Sequence, residues 1–395
     1  MRIAYLVSRY PAQSHTFIKR EIDHLSDAGV EIVRFSVNRP TAADILGEHA
    51  AAEAQITRWL VPPPVGALLS AFAVALWRQP GALRRELADA LAKASGRQKL
   101  KWLAYFGEGV LLADMLRRSG AQHLHCHFGN AGSNTAMIAA RLAKLPYSIS
   151  YHGIDLDEPE VFRHGEKVRE SAFSVCISDY GREVLLHSAP EASDKVHVVR
   201  CGFPALPEEQ VPPLPGRNHI VCVARLAAEK GHRVLVEALA QLKARGLAFH
   251  CTFVGSGPLE EEVAGRIAAL DLSERVTMKG ALPPQEVAAQ IAAADVSVLA
   301  SFGEGIPIVL MEAFAQQRPV VATRVGGIAE LVEDGVSGRL VEAGDATALA
   351  DALASVLSDP ERAHEMGVAG WLTLKAKYNP IACAEQLLQL FASIV

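Results

Sequence analysis

Two successive series of short, β-branched apolar runs, most followed by a helical stretch, constrain this chain more than any other feature. The later series is the more regular: HIVCVA at 219–224, AFHCTFV at 248–254, RVTMK at 275–279, DVSVLA at 295–300 and PVVATRV at 319–325 alternate with helical stretches such as 231–245 and 284–294. Strand and helix in that rhythm build a parallel, doubly wound sheet. The earlier series, 2–7, 30–37, 122–127, 147–151, 173–177 and 196–200, with helices near 16–28 and 132–143, has the same character. Between them, PALPEEQVPPLPGR at 204–217 carries five prolines and no apolar periodicity, the mark of a linker. The 395 residues therefore divide near residue 205 into two Rossmann-like domains, 1–205 and 206–370, an α/β chain with apolar material for two cores. Two such domains facing a cleft would place ligands at the carboxyl ends of their strands, so chemistry is expected in the loops that follow strands.

Several classes fall away. Half the residues are apolar and 21% are charged, which fits a folded globular protein and excludes disorder. The balance of 39 basic against 44 acidic residues, net −5, lacks the basic excess of a nucleic-acid binder. Six cysteines form no CxxC pair and read as reduced core residues. The apolar run at 1–7 is too short for a signal sequence and reads as a buried strand, so a cytoplasmic location is expected. The loop after it, 8–15, has no glycine to let a pyrophosphate approach, which removes support for a dinucleotide dehydrogenase. No GxxxxGK[ST] spacing supports ATP hydrolysis.

One segment invites a membrane reading. Residues 59–77 are 19 in a row without a charge, but Pro62, Pro63 and Pro64 interrupt them. The 13 residues left, 65–77, are too few to span a bilayer and read as a buried or interfacial helix. Residues 58–118 hold ten basic and four acidic residues, and Trp59, Trp77 and Trp102 lie among them. A helical insert around 60–118 resting on anionic lipid fits that composition; an ordinary insert with a solvated basic face fits it too.

Three strings follow strands and carry candidate chemistry. In SFGEGIPIVLMEA at 301–313, Glu304 lies in a glycine-containing turn and Glu312 in the helix after it, seven residues intervening. Carboxylates so placed can accept bonds from sugar or ribose hydroxyls, with the backbone of Gly305, Ile306 and Pro307 approaching the same ligand and helix-start amides free for an anion. By spacing alone, a cap and a solvated helix residue would fit equally. In VARLAAEKG at 223–231, Arg225 and Lys230 offer a planar fork and a point charge suited to a diphosphate, although basic residues after a strand are common. In VGSGPL at 254–259, Gly255 could admit the edge of a base or simply make a turn.

Together these strings, with VGGIAELVEDGVSGRLVEAGD at 325–345, SYHGIDLD at 150–157 and CISDYGREVL at 176–185, resemble the retaining glycosyltransferases of family 4, which have the GT-B fold. The opening at 10–22, YPAQSHTFIKREI, resembles the branch that builds bacterial exopolysaccharides and lipid-linked glycans, a branch that often has Glu where His15 stands. The resemblance implies that Arg225 and Lys230 bind the donor diphosphate and stabilise the departing nucleotide. It implies that Glu312 accepts from the ribose, and that Glu304 with Gly305, Ile306 and Pro307 holds the transferred sugar. His152 would line the sugar site near the reacting centre, and Gly255 and Lys279 would flank the base. Ser14, His15, His127 and Asp155 fall on the acceptor side. The segment 371–395 would cross back to the first domain, so that closure accompanies donor binding.

The expected reaction moves a sugar from a nucleotide diphosphate, UDP before GDP, to a hydroxyl of a glycan or lipid-linked acceptor at the cytoplasmic membrane face, through same-face attack without a covalent nucleophile. The nucleotide-sugar is a substrate, and no cofactor is implied. No metal is expected either. His123, His125 and His127 share one face of a strand, where two could bind an ion, but the run matches a strand lining the cleft; Asp155 and Asp157 have DxD spacing but lie away from the proposed diphosphate cations. A sugar phosphorylase or epimerase on the same fold, or a non-catalytic glycan- or nucleotide-binding subunit, are the alternatives.

Overall fold

The computed structural model describes residues 1–12, 15–42, 44–45, 47–92, 96–156, 159–204, 206 and 213–394. The chain divides into two compact units, Met1–Gly202 with Pro380–Val395, and Phe203–Asn379. The expected boundary at residue 205 lies outside the described residues.

The first unit is built on strands β1 (Arg2–Arg9), β2 (Glu31–Asn38), β3 (Arg58–Val61), β4 (His123–His127), β5 (Tyr147–Tyr151), β6 (Phe173–Cys176) and β7 (Val196–Val198). They form one parallel sheet in the order β3-β2-β1-β4-β5-β6-β7. Helices cover both faces, which is why the central strands β1, β4 and β5 are buried nearly throughout. On one face Ala4, Leu6, Leu124 and Cys126 pack with Val110, Leu112 and Ala136 from helices Arg97–Ser119 and Ala131–Ala143. On the other, Ile3, Tyr5 and Val7 meet Ile18, Ile22 and Leu25 of helix Thr16–Asp27 and Leu387 and Phe391 of helix Pro380–Ala392. The alternation of β4 sends its three histidines to this second face, where His123 and His125 lie against Phe173 and Phe391.

Two expectations for this unit are corrected. Leu60 and Val61 do not begin the helical insert: they belong to β3, which pairs with β2 (Ser36 opposite Trp59) and is closed by the following prolines. The insert proper is helices Val65–Arg78, Pro80–Ala92 and Arg97–Ser119. Nor does the returning segment begin at Trp371. Helix Pro360–Lys377 belongs to the second unit, and Pro380, which disfavours helical backbone at Asn379, starts the helix that joins the first. Burial of Leu387 and Phe391 stabilises that return by about 1.5–3 kcal/mol each.

The second unit holds β8 (His219–Val223), β9 (His250–Val254), β10 (Val276–Met278), β11 (Val296–Leu299), β12 (Val320–Thr323) and β13 (Gly338–Val341), a parallel sheet in the order β10-β9-β8-β11-β12-β13. In each sheet the strand order reverses once, between β1 and β4 and between β8 and β11, the points at which such sheets bind ligands. No helix among the described residues is long and apolar enough to cross a membrane.

Candidate functional site

In the second unit the loops leaving β8 and β11 lie side by side where the strand order reverses, joined by a bond from Phe302 N to Glu229 O of 2.8 Å. Lys230 Nζ donates to Glu304 Oε1 at 2.5 Å, and Ser301 Oγ donates to the same oxygen at 2.6 Å. The two side chains are 23% and 10% exposed, so the ammonium is held in place yet reachable. Arg225 is 62% exposed and pairs with Glu229. Gly255 has φ +138°, and a Cβ there would lie 2.0 Å from Ala224 O. Only glycine lets the β9 loop approach the β8 loop so closely.

Glu312 sits in helix Ile308–Ala315, which starts after Pro307, and burial raises its carboxyl pKa. That environment favours a ligand whose hydroxyls can donate to it. Lys279 follows β10 at the edge of the sheet, exposed and two strands from β8. The structure thus gathers Lys230, Glu304, Ser301 and the backbone of Gly305 into one spot and leaves Lys279 outside it. Sequence reasoning missed Gly326. At φ +52° its Cβ would fall 1.8 Å from Glu304 O, and Gly327 N donates to Gly305 O at 3.1 Å, so the turn after β12 backs the Glu304–Gly305 peptide. The Gly-Gly after a strand was the available signal.

In the first unit His152 follows β5. Its Nε2 lies 3.0 Å from His127 Nδ1, its Nδ1 lies 3.7 Å from Cys201 Sγ, and its ring is flanked by Phe17 and Phe128. His127 is fully buried, with Nε2 3.2 Å from Glu21 Oε1. His15 bonds Arg9 O through Nδ1 at 3.0 Å and packs on Phe128, and burial lowers its pKa. Asp155 is 2% exposed and turned inward: Oδ1 accepts from His152 N at 2.7 Å and Oδ2 from Gly129 N at 2.6 Å. Its carboxyl braces the loops after β4 and β5. Ser14 and Asp157 lie outside the described residues.

Lys167, missed in sequence, completes the brace: its buried Nζ donates to Gly129 O, Ser133 Oγ and Asn130 O at 2.7, 2.6 and 3.3 Å. Burial pulls its pKa down to about 7. Glu21, His125 and His127 bring one ligand atom each within 4.8 Å of one another. Hydrogen bonds already engage them, His125 binding Ser148 Oγ at 2.7 Å and Ser150 Oγ at 3.0 Å.

Residues 208–371 match the family described as Glycosyl transferases group 1. Over 383 residues the chain is 33% identical to WcaL of Salmonella typhimurium, named for colanic acid biosynthesis, with 90% of each protein covered. It is 29% identical over 380 residues to the amylovoran biosynthesis glycosyltransferase AmsK of Erwinia amylovora, with 89% of each covered. Among solved structures, HepE of Anabaena in complex with UDP has the same fold, with a TM-score of 0.72 over the full length of both chains at 17% identity. Identity of one third along nine-tenths of a relative, two parallel Rossmann-like sheets, and the Lys230–Glu304 constellation at a strand-order reversal place this chain in the group 1 glycosyl transferases, with the GT-B fold.

Proposed function

We propose that this glycosyltransferase moves a hexosyl group from a nucleotide-diphosphate donor, a UDP-sugar before a GDP-sugar, to a hydroxyl of a glycan or lipid-linked acceptor in exopolysaccharide assembly, with retention and without a metal. The observation that carries this reading is the convergence of Lys230 and Ser301 on Glu304 at the end of β11. A cation fixed beside a sugar-binding carboxyl is what a departing diphosphate requires. Lys230 and Arg225 offset the charge on the leaving nucleotide, and Glu312 accepts from the ribose. Glu304 and the backbone at 305–307 hold the sugar, and His152 lines the reacting centre. As the anomeric C–O bond to the diphosphate breaks, the acceptor oxygen bonds to the same face, and its proton passes to the leaving phosphate oxygen. The pathways for which WcaL and AmsK are named support the exopolysaccharide assignment, and the UDP held by HepE supports the base.

The test is product analysis with UDP-sugars and a lipid-linked acceptor in EDTA. The new glycoside is expected to carry the donor's anomeric configuration, with UDP released in equal amount. An inverted anomer, or activity abolished by EDTA and restored by Mn²⁺, overturns the retaining or the metal-free part of the reading.

The helical insert is proposed to rest on anionic lipid at the inner face of the cytoplasmic membrane. Helix Val65–Arg78 buries small Ala71 and Ala75 and turns large groups outward, with Leu69 66% and Trp77 80% exposed, while Arg78, Arg84 and Arg85 follow closely. Large apolar groups outside and basic residues beside them are the pattern of an interfacial helix. Sedimentation with phosphatidylglycerol vesicles at low salt is expected to carry the protein down, and Leu69→Ser with Trp77→Ser to weaken partitioning by at least about tenfold. Protein left in the supernatant contradicts the proposal.

A further inference from the structure

Beneath His152 an unbroken hydrogen-bonded line crosses the sheet face covered by helices Thr16–Asp27 and Pro380–Ala392. Tyr5 OH donates to Glu21 Oε1 at 2.8 Å; the same oxygen lies 3.2 Å from His127 Nε2; His127 Nδ1 lies 3.0 Å from His152 Nε2; and His152 Nδ1 faces Cys201 Sγ at 3.7 Å. We propose that Glu21 is a positioning residue for His152, acting through His127 to hold the proton of His152 on Nε2 and leave Nδ1 as an acceptor.

The reasoning follows the protons. Tyr5 gives its only proton to Glu21 Oε1, so that oxygen acts as an acceptor and His127 must donate to it from Nε2. Where His127 carries that one proton alone, its Nδ1 has only a lone pair, and His152 donates to it from Nε2. The proton on His152 then occupies Nε2, and its Nδ1 lone pair faces Cys201 and the small cavity that His152, Arg20 and Cys201 help to line. Burial pulls the His152 imidazole well below the usual histidine pKa, so near neutrality the ring carries one proton and its location is a real choice between nitrogens.

Packing removes the freedom to change that choice. The His127 and His152 rings meet edge to edge with centroids 5.2 Å apart and planes 23° apart, Phe17 and Phe128 both pack against the second ring, and Tyr5 lies against the first. Glu21 is anchored from helix Thr16–Asp27 and His127 from β4, so the line ties the loop after β5 to two rigid elements. This inference rests on the reading that places His152 at the reacting centre. There, the Nδ1 lone pair can accept a hydrogen bond from a hydroxyl that reaches it, and an imidazole in the other tautomer would oppose that hydroxyl with an N–H.

The experiment is long-range ¹H–¹⁵N NMR of the histidine rings in the full protein, with His152 assigned by signal loss in His152→Ala, beside steady-state kinetics. Wild type is expected to show His152 protonated on Nε2. Glu21→Ala is expected to give a mixed or Nδ1-protonated His152, with kcat lowered about 10- to 100-fold, the range of an orienting partner, and donor KM within about twofold. Glu21→Gln keeps an acceptor oxygen and is expected to retain both the tautomer and most of kcat. An Nδ1-protonated His152 in wild type, or an unchanged tautomer and rate in Glu21→Ala, overturns the proposal. If Glu21→Ala fails to fold, the wild-type and Glu21→Gln spectra decide. A wild-type rate in His152→Ala would overturn its place at the reacting centre, and the spectra would still judge the Glu21–His127–His152 line separately.

Discussion

Lys230→Ala is expected to lower turnover by roughly 10²- to 10³-fold while leaving the protein folded, the loss typical of one preorganised charge partner in a transition state. The size follows from placement. Lys230 is held by Glu304 on a loop pinned to its neighbour through Phe302 N and Glu229 O, so its charge needs no reorganisation when the nucleotide departs. Two unit charges about 4 Å apart near a protein surface interact by about 4 kcal/mol, of which a fraction suffices for that rate loss. The structural cost is smaller, because Glu304 keeps its bond from Ser301 Oγ. The variant should therefore match wild type in thermal midpoint and circular dichroism while losing kcat. Arg225, mostly solvent-exposed, works through a screened charge and should matter less when removed. Wild-type turnover in Lys230→Ala would remove the cation from the mechanism.

What was legible in the sequence, and what was not, divides along the range of the interactions. The β-branched runs of the second unit's inner strands are largely buried, and all five expected strands of that unit emerge within a residue or two of their bounds. Arg58–Val61 and Gly338–Val341 were missed because each is a four-residue edge strand carrying an arginine. The first was also masked by the uncharged run that continues past it. The break at Pro380 was obscured by apolar periodicity that runs through it, although the proline itself marks the change of unit.

The candidate site divides in the same way. Arg225, Lys230, Glu304 and Glu312 could be picked out because each belongs to a short string directly after a strand. Glu21 and His127 stand 106 residues apart, and Lys167 is 38 from Gly129, so no local pattern announces their contact. Asp155 was visible as an acid after a strand, but its inward orientation arises only when the loop after β4 brings Gly129 N against it. First-neighbour chemistry was readable from sequence, while the groups that hold it in position became visible only through the fold.

UDP is expected to raise the melting temperature of the protein in EDTA, with GDP and ADP acting weakly, and Glu312→Ala to lose at least half of that shift. A ligand at 100 times its dissociation constant stabilises by about 2.7 kcal/mol, on the order of 5 to 10 °C for a unit of roughly 180 residues. Glu312 is placed for this role by the helix that starts after Pro307, and burial raises its pKa. Two ribose hydroxyls would supply the donors that such a carboxyl lacks. A hydrogen bond to a charged group contributes about 1.5–3 kcal/mol, so its loss weakens binding by roughly tenfold or more and at the same UDP concentration leaves at most about 1.4 kcal/mol of stabilisation. A larger shift with GDP than with UDP would reassign the donor base while keeping the ribose contact. An unchanged UDP shift in Glu312→Ala would take the ribose away from this residue, and no shift with any nucleotide would count against donor binding by the second unit.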